Sequence, residues 1–388
     1  MSDPIVIVGA GLAGYNLARE FRKLDAETPV VVVSRDGAGF YSKPMLSNAL
    51  AGKKTAASLV MKPAEKMADE LKARVLPRVT VQSVDTAART VTLSSGEQLR
   101  YRDLVLALGA DQMRLPLQGT AADTVVSVND LDDFAAFADA LDKGPMGEPV
   151  QRVAILGGGL IGCEFANDLL HREIKATVID IAERALPRLL PPAASARLQK
   201  ALEAGGAAFR FGTSVTNIAR GDGALRLTLS DGSTLDADLV VSAIGLKPRT
   251  ELAAQAGAEL VRGVKVNREL ATSVPHVHAL GDCAEVEGLL LPYVMPLMQQ
   301  ARALAATLAG KPTPVSYPAM PVVVKTPACP TVVCPPAMGA EGEWQVTETD
   351  EALEARFVSA SQPEQMLGFV LQGKAVSQRQ AWVAQVSA

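Results

Sequence analysis

Cysteine is scarce in this chain and poorly placed for redox work. Only Cys163, Cys283, Cys329 and Cys334 occur among 388 residues, and none precedes Cys163. So few thiols make no disulfide framework, and in a reducing compartment they read as small buried apolar side chains. Histidine is scarcer still: His171, His276 and His278 are the only three. Aromatic residues make up 4% of the chain and the net charge is −4. A nucleic-acid binder needs a basic field and stacking surface, and this chain has neither. No apolar run approaches the ~20 residues that cross a bilayer, so no membrane insertion is expected. The apolar stretch from Pro4 to Ala18 lacks a basic leader and carries spaced glycines, so it reads as retained structure rather than a signal peptide. A cytoplasmic location is expected.

What the chain does have is ordinary α/β composition, 48% apolar and 21% charged, and length for two or three domains. It also has an internal repeat. "PIVIVGAGLAGYNLAREF" begins at Pro4 and "RVAILGGGLIGCEFANDL" at Arg152, each an apolar β-branched run, a G-x-G-x-x-G turn and an amphipathic helix. The glycines are Gly9, Gly11 and Gly14, then Gly157, Gly159 and Gly162. The first permits a tight strand-to-helix turn, the second lets backbone approach a pyrophosphate, and the third lets helix and strand pack closely. The helix N-terminus then offers unpaired N–H groups and the positive end of its dipole. One such motif is a weak signal; two in strand–turn–helix context point to two dinucleotide sites.

The strand after each helix refines this. "KATVIDIAER" ends its apolar run at Asp180, where a carboxylate accepts from ribose hydroxyls and repels a 2′-phosphate, favouring NADH over NADPH. After Gly14, "PVVVVSRD" puts Ser34 at that position with Asp36 two residues on, and the sequence does not decide which of them meets a ribose. "YRDLVLALGA" and "ADLVVSAIGLKPRTEL" read as buried strands turning at Gly109 and Gly245. "VPHVHALGDCAEV" is a strand leading to Gly281 and Asp282, and "YVMPLMQQARALAATLAGKP" is a helix with Pro296 in its first turn and Gly310 as its stop. The tail from 326 reads as three antiparallel strands, in "EWQVTET", "EARFVSA" and "MLGFVLQG", then a helix from Ala375. "CPTVVC" reads as extended, which puts its two sulfurs on opposite faces ~17 Å apart. A disulfide needs Cα atoms within ~7 Å, so this pair is not expected to be redox-active.

These segments, in this order, resemble the two-dinucleotide-domain flavoproteins of the glutathione-reductase type. The resemblance implies an α/β fold of two Rossmann-like dinucleotide-binding domains plus a small α+β C-terminal domain. FAD would occupy 1–116 with 251–325, NADH would occupy 117–250, and 326–388 would stand apart. It also implies that Asp282 bonds the ribityl chain and that the helix at Pro296 aims its N-terminus at the flavin. Disulfide reductases of this build carry a cysteine pair near the flavin and a C-terminal histidine base. In the corresponding place this chain has "YSKPMLS", with Lys43, and it has no histidine after His278. A cation there would stabilise negative charge on a reduced flavin. A buried ammonium needs a partner, and Glu164, on the first turn of the second glycine helix, is the expected one.

"YSKPMLS", "LIGCEFANDL", "YVMPLM" and "VKTPACP" together are similar to the rubredoxin–NAD(+) reductase family. That resemblance implies NADH oxidation with one-electron reduction of rubredoxin, which serves systems such as alkane hydroxylases or oxygen and peroxide defence. The carried-over FAD contacts are Gly9, Gly11, Leu12, Ala13, Gly14, Ser34, Arg35, Lys43, Val81 through its backbone, Gly109, Asp282, Val294 and Lys325. Those for NADH are Gly157, Gly159, Leu160, Ile161, Gly162, Asp180 and Gly245. Lys43 and Glu164 would take the catalytic roles, and no metal is expected. An NADH-dependent reductase of [2Fe–2S] ferredoxins and an NADH-sensing flavoprotein are the alternatives.

Overall fold

Each glycine repeat seeds a parallel sheet. The computed structural model describes residues 3–144, 147–221 and 223–387. It divides into two compact units: Met1–Lys43, Ala57–Asp111 and Leu246–Tyr317 make the first, and Pro44–Ala56, Gln112–Gly245 and Pro318–Ala388 the second.

In the first unit the strands lie in the order Val277–Ala279, Asp103–Leu106, Ile5–Val8, Val30–Val33, Arg74–Leu76, all parallel. Every residue of Ile5–Val8 and Val30–Val33 is buried. Uninterrupted β-branched runs suit central parallel strands, which are covered on both faces. The second unit repeats the plan as Ala208–Phe211, Lys175–Asp180, Arg152–Leu156, Leu239–Ser242, Val126–Ser127, again all parallel. The glycine helices are Leu12–Arg22 and Leu160–Leu170. Each unit also carries a three-stranded antiparallel sheet, Val81–Asp85 with Thr90–Leu93 and Gln98–Arg100 in the first, Val215–Arg220 with Leu225–Leu229 and Thr234–Ala237 in the second. The expected α/β class with two Rossmann-like folds is the fold observed.

The terminal region departs from expectation. Its sheet has five antiparallel strands, in the order Val322–Val324, Thr331–Cys334, Met366–Gly373, Ala352–Ser359, Gly342–Glu348. Two more strands are present than the three read from sequence, because short valine runs flanked by prolines pair once a neighbour supplies the edge. Val322 pairs with Val333, so the strand just before Lys325, within the stretch 251–325 expected to bind FAD, joins this sheet. The helix expected from Ala375 is a 3-10 turn, Lys374–Gln378, followed by a short helix, Arg379–Val383. Pro44–Ala56, expected within 1–116, belongs to the second unit. The compact units meet at Asp111/Gln112 and Gly245/Leu246, near the domain boundaries expected at 116/117 and 250/251.

Candidate functional site

The two glycine turns have the same geometry. Gly9 has φ +120° and Gly157 φ +108°, and a Cβ there would lie 2.1 Å from the Ala107 carbonyl oxygen or 2.6 Å from that of Ala243. A Cβ on Gly14 or Gly162 would sit 1.9 Å from the carbonyl oxygen of Gly9 or Gly157. Gly11 and Gly159 differ: nothing lies within 4 Å of a Cβ built on either. Protein packing does not explain a glycine at the middle position, whereas the close approach of a diphosphate does. Both residues are helix N-caps without a side-chain hydrogen bond, so the first-turn N–H groups beside Leu12 and Ala13, or Leu160 and Ile161, have no side-chain cap. The residues present fit a dinucleotide at each turn.

The strands that follow differ. Asp180 Oδ2 accepts the Gly158 N–H at 2.5 Å and Oδ1 accepts the Ala182 N–H at 2.8 Å, holding the carboxylate at the glycine loop. Strand register equates Asp180 with Ser34, since Ile179 pairs with Leu156 as Val33 pairs with Val8. Ser34 donates to Asp36 Oδ1 at 2.7 Å, and the same oxygen accepts the Ala38 N–H at 2.8 Å. The choice left open by sequence is therefore between two members of one hydrogen-bonded pair.

Around the first turn, Gly281 fits closely enough that a Cβ would come within 2.8 Å of the Ala13 Cβ, which sets the Gly281–Cys283 turn and Asp282 beside the glycine helix. Gln300, on helix Val294–Leu308, accepts the Gly281 N–H at 2.7 Å and donates to Tyr317 at 2.9 Å. Pro296 lies in the first turn of that helix, as expected, and Val294 is 39% exposed there. Gly109, φ +70°, accepts the Arg249 N–H at 3.1 Å, and the Arg249 side chain reaches the Leu108 carbonyl and Asp111 Oδ1, each at 2.7 Å. The hydrogen bond from Arg249, with smaller contributions from the charges of Arg35 and Lys43, holds the Asp111 carboxyl below its ordinary range. Arg35 is exposed and approaches Asp111 at 3.8 Å. Lys43 is half-buried at the start of a 3-10 helix, Lys43–Asn48. Val81 opens the small antiparallel sheet, and Gly245 is exposed with φ +116°.

In the second unit Glu164 is fully buried on the second turn of its helix, one turn further in than expected. Its partner is Lys325, where the sequence pointed to Lys43. The Lys325 ammonium and the Ser47 hydroxyl, at 2.5 Å, both donate to Oε2, and the Lys325 backbone N–H donates to Oε1 at 2.9 Å. A buried carboxylate is tolerable only with such paired donors. The same helix presents Asn167, which accepts the Ala328 N–H at 3.1 Å. Asp168 accepts the N–H groups of Leu50 at 2.9 Å and Ala51 at 2.8 Å. Sequence reading missed Ser47, Asn167 and Asp168. The signal was there: positions 164, 167 and 168 are polar at helical spacing in an otherwise apolar helix.

The thiols offer no redox pair. All four cysteines are buried and free. Burial pushes the Cys283 thiol up to about 11 and raises Cys163, Cys329 and Cys334 as well. Cys329 lies in a bend before strand Thr331–Cys334 rather than in the extended segment expected, and it sits in a different hydrophobic cluster from Cys334.

Two turns built for dinucleotides and a helix that ties both flanking segments together define a class, and comparison with known proteins agrees. Residues 3–306 match the pyridine nucleotide-disulphide oxidoreductase family, and the chain belongs to that family, which implies FAD and NAD(P) as the bound dinucleotides. Residues 314–386 match a rubredoxin binding C-terminal domain. The chain is 49% identical to a rubredoxin-NAD(+) reductase of Alcanivorax borkumensis, covering 97% of this chain and 96% of that protein. It is 44% identical to one of Acinetobacter baylyi, covering 95% and 94%. Among solved structures it is similar to the ferredoxin reductase for the CYP199A2 system of Rhodopseudomonas palustris, with TM-score 0.89, 26% identity, and coverage of 100% and 96%.

Proposed function

We propose that this chain is an NADH:rubredoxin oxidoreductase, which oxidises NADH and passes the electrons singly to rubredoxin. The observation that carries the reading is the terminal sheet, whose residues 314–386 match a rubredoxin binding domain, on a chain with two dinucleotide turns. FAD, when bound, would supply the chemistry that joins a two-electron hydride donor to a one-electron acceptor. The N–H groups after Gly11 hold its diphosphate, Asp282 bonds its ribityl hydroxyls, and the Ser34–Asp36 pair meets its ribose. The N–H groups after Gly159 hold the diphosphate of NADH. Asp180 accepts from its ribose hydroxyls and selects against a 2′-phosphate. Lys43 and Lys325 supply positive charge for the reduced flavin, with Glu164 fixing Lys325. No histidine base is needed, because no thiol has to be deprotonated. Among the described residues no helix is long and apolar enough to cross a membrane. Four buried free thiols suit a reducing compartment, and the enzyme belongs in the cytoplasm.

The test is anaerobic mixing of the NADH-reduced holoenzyme with rubredoxin or with a [2Fe–2S] ferredoxin. Rubredoxin should reoxidise it faster, and the rate should fall as salt rises, because small electron-transfer contacts depend on charge. Faster oxidation by the ferredoxin would overturn the assignment of partner. Slow reaction with both would favour an NADH sensor.

A further inference from the structure

The second glycine helix does more than close a nucleotide turn. Glu164, Asn167 and Asp168 share one face of it, and each is spent on a segment distant in sequence. Asp168 gives one oxygen to each of two successive backbone N–H groups, those of Leu50 and Ala51, in the turn that follows Lys43–Asn48. Leu50 is buried, and a buried N–H needs an acceptor. Asn167 does the same for Ala328, three residues past Lys325.

We infer that Asn167 and Asp168 are positioning residues: they clamp segments 44–51 and 325–328 to the second glycine helix, so that Ser47 and Lys325 meet on Glu164. With the clamp in place, the chain direction leaving Lys43 is set by two hydrogen bonds to a carboxylate, which are stronger than bonds to a neutral acceptor. Removing it leaves the ion pair without its hydroxyl donor and loosens the segment that begins one residue after Lys43. Burial holds the Asp168 carboxyl up at about 6, so its charge is maintained at a cost. An apolar side chain would fill the same place more cheaply but would leave two N–H groups without acceptors.

The inference rests on the oxidoreductase reading only in that NADH must reduce the bound flavin; the partner protein does not enter its test. Holoenzyme carrying Asp168→Leu, Asp168→Asn or Asn167→Ala is compared with the parent by amide exchange and by rapid flavin reduction with NADH. Asp168→Leu should speed exchange over 48–56 by about a hundredfold. It should slow limiting flavin reduction by about tenfold while NADH half-saturation moves less than about twofold, because the Asp180 side is untouched. Asp168→Asn keeps one acceptor and should fall between. Asn167→Ala should show the exchange effect over 325–330 instead. An unchanged limiting rate in Asp168→Leu would overturn the inference, as would half-saturation and rate changing together. If Asp168→Leu does not fold, the other two variants decide, and normal exchange with normal rates in both would overturn it. If NADH reduces the flavin but rubredoxin is not reduced, the partner assignment fails and the clamp stands or falls on these measurements alone.

Discussion

The two glycine helices start alike and finish differently. Three positions of helix Leu12–Arg22 correspond to the polar trio of helix Leu160–Leu170: Asn16 to Glu164, Arg19 to Asn167 and Glu20 to Asp168. In the first, Asn16 bonds back to the Leu12 carbonyl, Arg19 pairs with Glu70 and Glu20 with Lys23 near the surface. In the second, all three counterparts are buried and bond to segments from elsewhere in the chain. A repeat therefore preserves the turn, where a diphosphate sets the rule, and leaves the far helix face free to diverge. Divergence put a fully buried carboxylate where the first helix has a partly buried amide.

The comparison breaks most visibly at Glu164. Glu164→Leu strands a partly buried ammonium and should cost about 3–5 kcal/mol in denaturant unfolding, whereas Asn16→Leu should cost less than about 1. Equal costs would mean that the two helix faces are equivalent. A second contrast lies in the open middle glycines. Gly159→Val should leave folding and bound FAD intact while raising the NADH half-saturation about tenfold to a hundredfold, whereas Gly11→Val should yield folded protein without FAD. Loss of FAD from the Gly159 variant would undo the assignment of one dinucleotide to each turn. A third contrast concerns pH. The Asp168 carboxyl is raised to about 6 in the fold, so its stabilising protonated form is fully present below the unfolded value near ~4 and lost as pH rises through about 6. Between those limits the parent should lose about 2–3 kcal/mol relative to Asp168→Asn.

The sequence spoke most clearly where geometry leaves no choice. Paired glycine turns and unbroken valine runs allow little except two parallel sheets, and both were legible. So was the scarcity of thiols, since it followed from counting. Tertiary partners were less legible. Lys43 was a sound candidate for Glu164 by charge, but Lys325 arrives from the terminal sheet and brings a backbone N–H with it. That arrival depends on strand Val322–Val324, a short run at the end of the stretch 251–325 read as FAD-binding, which pairs with Thr331–Cys334. Asn167 and Asp168 were visible as polar intrusions in an apolar helix, but their partners are backbone groups, which carry no side-chain signature.

A flavoprotein that works without thiols stores electrons only on its flavin, and electron counting measures how many it takes. Anaerobic titration of the holoenzyme with NADH, followed by flavin absorbance, should reach full reduction at a single NADH per bound FAD. No further uptake should follow, and all four cysteines should remain resistant to alkylation in the folded protein. Uptake of a second NADH, with a cysteine pair becoming reactive as it is consumed, would contradict the account.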